Sequence, residues 1–129
     1  MKIFSHITRT ETIMQQCETV DSINESSYAE LESRYRNETA RLVFLIGIVV
    51  GNESRRAGLN KEKLFETVDR LTGIIVAETQ NMAKANRQEF VDLCRALPAQ
   101  AASKIGPFEP LNQKFPNEIK ILYDLMPKG

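Results

Sequence analysis

The sequence predicts an all-α fold: a long antiparallel helical hairpin, residues 27–55 and 60–96, covered by an N-terminal helix and by a C-terminal Pro- and aromatic-rich arm that carries a short helix. Three observations lead there. Apolar residues recur at intervals of three and four, the period of one helix face. Residues that cap helices stand where those stripes begin. Gly58 and Asn60 then separate the two longest stripes, as a helix end followed by a helix start should. A chain of 129 residues suits a single domain with its own core.

Residues 1–9 read as a flexible lead-in or one edge strand. Thr8 followed by Glu11 fits a capping box, so a first helix is expected from about 10 to 23, with Ile13, Cys17 and Val20 on one face. Ser27 and Glu30 form a second capping box and open a helix over 27–55. Its stripe is Tyr28, Leu31, Tyr35, Thr39, Leu42, Ile46 and Val49. That stripe runs without a change of phase into Leu42–Val50, where no side chain is polar. The unbroken phase favours a helix covered on more than one side. A central strand, which suits Val and Ile, is the rival.

The segment "RRAGLNKEK" is the turn, with Gly58 able to take the left-handed C-cap and Asn60 able to cap the next helix. The third helix, over 60–96, shows Leu64, Val68, Leu71, Ile75, Thr79 and Met82 on one face, then Phe90, Val91, Cys94 and Leu97. Its length predicts a kink or break near "AKANRQ". The arm begins at Pro98 and fills 98–129, with Pro107, Phe108, Pro110, Phe115 and Pro116 along an irregular path. A last helix over 117–126 offers Ile119, Leu122, Tyr123 and Met126 to the body.

Composition excludes several classes. Apolar residues are 42% and charged residues 26%, ordinary for a globular domain. Seventeen basic residues balance seventeen acidic ones, whereas a nucleic-acid binder carries a basic surplus. Leu42–Val50 as a helix spans about 14 Å against a hydrocarbon core of about 30 Å, so it cannot cross a bilayer. "MKIFSHITRTE" has no apolar core of a signal peptide. No phosphate loop, GxSxG elbow or HExxH is present, and neither cofactor nor metal is expected.

Four features could carry chemistry or contacts. Cys17 and Cys94 are brought together if the N-terminal helix doubles back along the hairpin, which predicts a disulfide; two buried free thiols are the alternative. Gly47 and Gly51 are four apart, as are Gly73 and Ala77. That spacing suits close helix packing inside the hairpin, or else a dimer contact. With the turn near residue 58, Glu38 falls level with Glu78, and Arg34 and Arg41 lie within a turn of Glu38. This polar layer is expected to fix the register of the hairpin, with a ligand site as the sharper alternative. His6, the single histidine, reads as a surface or capping residue. The N-x-S/T triplets at Asn24, Asn37 and Asn52 are short matches, two of them inside expected helices.

The functional expectation is a non-enzymatic helical module that binds another protein: an inhibitor, immunity, adaptor or chaperone-like protein. A small helical enzyme or ligand-binder using Arg34, Glu38, Arg41 and Glu78 is the alternative, and a dimeric regulator a weaker one. Long helical hairpins occur in helical mutases and in many small regulatory proteins, so architecture alone names no activity. The partner is expected to be another protein, with a homodimer next and nucleic acid least favoured. A disulfide, together with a cleaved signal peptide that this sequence does not include, would place the chain in the periplasm or outside the cell; otherwise it is expected to be cytoplasmic.

Overall fold

The computed structural model describes residues 2–58 and 60–126. Regular structure among them is entirely helical: α1 (Lys2–Val20), α2 (Glu25–Arg56), α3 (Lys61–Ala85), α4 (Arg87–Ser103), α5 (Leu111–Lys114) and α6 (Pro116–Asp124). Short 3-10 turns cover Ser22–Asn24 and Gly106–Phe108. The all-α hairpin is present, with α2 and α3 as its long arms. Leu42–Val50 lies wholly inside α2.

The first helix starts much earlier than expected. Ile3, Ile7, Thr10, Met14 and Cys17 are all buried, and they recur at intervals of four and three. The lead-in is therefore part of the core, not a tail. Thr8 caps nothing; its carbonyl accepts a 2.7 Å hydrogen bond from the Thr12 hydroxyl one turn on. Likewise α2 starts at Glu25, ahead of Ser27.

The central turn follows local chemistry. Gly58 has φ +76°, and its N–H donates to the Arg55 carbonyl at 3.1 Å. Only glycine takes that conformation without strain. Asn60 Oδ1 accepts the Lys63 N–H at 2.8 Å and so caps α3. The expected break after α3 falls at Asn86, whose Oδ1 accepts the Glu89 N–H at 3.1 Å and opens α4. Helix α4 runs through Pro98 and stops only at Lys104, which has φ 55°. Pro98 removes one helical hydrogen bond without ending the helix. The arm thus begins after Ser103.

The packing order differs from two long helices touching along their length. Helix α1 lies against both α2 and α3, which barely touch each other. Glu11 faces Arg36 at 4.0 Å, and Gln15 donates to Glu32 at 3.0 Å. These pairs make α1 antiparallel to α2, and Arg9 meets Glu78 of α3 at 3.4 Å.

The disulfide Cys17–Cys94 fastens the C-terminal end of α1 to α4, with Cα atoms 5.6 Å apart and both residues fully buried. Just beyond it Asp21, 6% exposed, ends α1. Its Oδ2 accepts from the Tyr28 hydroxyl at 2.6 Å, from Asn24 Nδ2 at 2.9 Å and from Arg95 Nε at 3.5 Å. One carboxylate thereby joins α1, α2 and α4. The Tyr28 hydrogen bond, with those of Asn24 and Arg95, holds the Asp21 pKa below its usual 3.8. Burial, and then the bond to Asp21, push the Tyr28 phenol up to about 12.

Two measurements check this account. Removing the bond in Cys17→Ala/Cys94→Ala should lower unfolding free energy by about 4 kcal/mol, the chain-entropy value for a loop of this size. Thermal and urea melts would show it, and the native wild type should resist alkylation until reduced. The second check is pH. Asp21 has a depressed pKa, so its stabilisation is complete above pH 3.8 and drains as pH falls below it. Tyr28 has a raised pKa, so its stabilisation is complete below pH 10.0 and drains towards pH 12. Asp21→Asn should flatten the acid limb and Tyr28→Phe the alkaline one.

Candidate functional site

The expected polar layer does not assemble. Glu38 is on α2 and Glu78 on α3, and α1 stands between those two helices. Glu78 pairs with Arg9 of α1, both side chains more than half exposed. Arg34 pairs with Glu30 one turn earlier on α2, at 3.0 Å and on the surface. Arg34 and Glu38 line a cleft of about 390 Å³ between α2, the end of α4 and the arm. Glu38 and Arg41 line a neighbouring groove of about 640 Å³ between α2 and the arm. Three of the four residues thus share one side of α2, and Glu78 belongs to another surface. Among the described residues no three His, Cys, Asp or Glu come together as a metal-binding group.

The arm closes over α1 and α2 through its aromatics. Phe108 meets the edge of Tyr35 at 5.8 Å, and Phe115 meets His6 at 5.5 Å. His6 Nε2 lies 3.1 Å from the Pro107 carbonyl. The histidine expected at the surface is a half-buried clasp, and burial lowers its pKa below 6.5. The Tyr35 hydroxyl is sealed from solvent and has no hydrogen-bond partner among the described residues. Thr10 lies alongside, already donating to the His6 carbonyl. Burial raises the Tyr35 phenol to about 12.

The largest departure from expectation is an apolar groove of about 630 Å³ between the C-terminal half of α2 and the N-terminal half of α3. Val43, Ile46 and Val50 form one wall; Leu64, Val68 and Leu71 form the other; Phe4 closes the end next to α1. Helix α1 separates α2 from α3, and among the described residues nothing beyond its first turn lies in the gap between them. The face Leu64, Val68, Leu71, expected to be core, is only half covered, and Phe65 beside it is 54% exposed.

The small residues are placed by the same geometry. A Cβ added at Gly47, Gly51 or Gly73 would meet nothing within 4 Å. Close packing inside the hairpin is therefore not their role. Gly47 and Gly51 lie on the groove, while Gly73 and Ala77 are exposed on α3.

The Arg9–Glu78 pair is exposed, so Glu78→Gln should change unfolding free energy by less than about 1 kcal/mol. A thermal melt checks this. A loss several times larger would restore Glu78 as the partner of a buried cation.

Searches with family models, against curated proteins and against solved structures find no match for this chain.

Proposed function

We propose that this protein is a disulfide-stapled helical module that binds another protein through the apolar groove between α2 and α3. One observation carries the proposal: a contiguous apolar surface, walled by α2 and α3 and lined by no acidic residue, stands open to solvent. Burying such a surface contributes roughly 25 cal/mol per Å² of apolar area removed from water. Exposed apolar patches of this kind mark interaction sites on soluble proteins. An inhibitor, adaptor, immunity or chaperone-like role would use the groove in the same way. The disulfide supports an oxidising compartment, periplasmic or extracellular.

The test places a charge in the groove. Leu64→Asp and Val68→Asp each put a carboxylate on the α3 wall, and Arg34→Ala alters the distant polar cleft. Tagged proteins would be used to capture partners from an extract of the source cells. The expected result is one protein retained by the wild type and by Arg34→Ala. Both groove variants should hold it at least about tenfold more weakly, since burying an unpaired charge is costly. Melting curves should stay unchanged. Equal retention by all four proteins would rule the groove out.

A further inference from the structure

The chemistry of the groove describes its occupant. No Asp or Glu lines it. Its two charged lining residues, Arg55 and Lys61, both stand at the end formed by the α2–α3 turn. Neither meets a carboxylate among the described residues: Arg55 donates to Asn52 Oδ1, and Lys61 lies over the Phe65 ring at 5.6 Å. The neighbouring Arg56 is different, since Glu53 neutralises it at 3.1 Å. The groove is thus apolar along its length and carries two uncompensated positive charges at one end.

The shape is that of a helix slot. From Val43 to Ser54 the α2 wall runs about 18 Å, roughly three turns. The groove continues the space that α1 fills further along, so α1 already shows that a helix fits between α2 and α3. Gly47 and Gly51, one turn apart on the α2 wall with open space before them, let a helix backbone come close.

We propose that the groove receives an amphipathic α-helix of a partner protein, lying end to end with α1, its apolar face between α2 and α3 and an acidic end against Arg55 and Lys61. This rests on the groove being the binding surface and adds the partner's chemistry. The recognition is of the helix-in-groove kind, with anchors at i, i+3, i+4 and i+7. The acidic end fixes its direction. A helix C-terminus fits there best, because its dipole is also negative.

Three synthetic peptides of about 14 residues, a little over the three turns of the groove, test this against the full-length oxidised protein. All carry a fluorophore. The first has Leu at the anchor positions and three Glu in its last turn. The second replaces those Glu with Lys, and the third is the first with its Leu positions scrambled. Fluorescence anisotropy should show the Glu peptide binding about tenfold more tightly than the Lys peptide, as two partly exposed ion pairs allow. The scrambled peptide should not bind. Arg55→Glu/Lys61→Glu, whose melt should match the wild type, should reverse the preference. Equal affinity for the Glu and Lys peptides overturns the proposal. So does binding of oleate with neither peptide, which would make the occupant a lipid. A dimer in sedimentation that Leu64→Asp abolishes also overturns it, since a second copy would then fill the groove. If the groove variants lose their cellular partner while the peptides fail to discriminate, this inference alone falls. If those variants keep it, the underlying reading falls first.

Discussion

Helix α1 holds α2 and α3 apart, and the bond from Cys17 to Cys94 holds α1 where it is. The rest of the architecture follows from that placement. Ile3, Ile7, Met14 and Cys17 turn one face of α1 into the core. Its polar flanks take Arg9 to α3, and Glu11 and Gln15 to α2. The exposed ion pairs contribute little energy each, but they select a register that apolar contacts alone would leave loose. The covalent bond acts at the opposite end of α1 from the groove, where Asp21 gathers Tyr28, Asn24 and Arg95. The molecule is therefore tied at one end and open at the other.

That asymmetry separates the disulfide-tied end from the proposed binding surface. Fully buried side chains concentrate around α1, the start of α2, and α4: Tyr28, Met14, Leu97 and the two cysteines are almost sealed. Phe65 and Leu71, which line the groove on α3, are exposed instead. The proposed binding surface lies away from the disulfide-tied end, in keeping with the tendency of such surfaces to be drawn from the less supported part of a fold.

Much of this was legible in the residues, and the remainder failed for identifiable reasons. The turn at Gly58, the cap at Asn60 and the helical state of Leu42–Val50 are local properties, set by backbone conformation and period. The cysteine pairing could be read because the folding-back of α1 leaves few places for Cys17 to go. The start of α1 is set by Ile3 and Ile7, which continue its buried face, and not by the cap-like pattern at Thr8. The polar layer failed differently. Glu38 and Glu78 sit on different helices, and nothing local says that a third helix passes between those helices. A stripe such as Leu64, Val68, Leu71 states which face is apolar and is silent on whether anything covers it. The groove was invisible for the same reason.

The disulfide has a topological consequence. Cys17 and Cys94, 77 positions apart, close a ring that contains all of α2 and α3. The exposed turn around Gly58, the sort of loop tip that proteases favour, lies inside that ring. A single cut there opens the ring without dividing the molecule: α2 stays joined to α1 through the chain, α3 stays joined to α4, and sulfur joins the two halves. Both walls of the groove remain parts of one covalent molecule after cleavage, and only a reductant can release them. A surface built on an exposed hairpin is in this way protected from the damage its exposure invites.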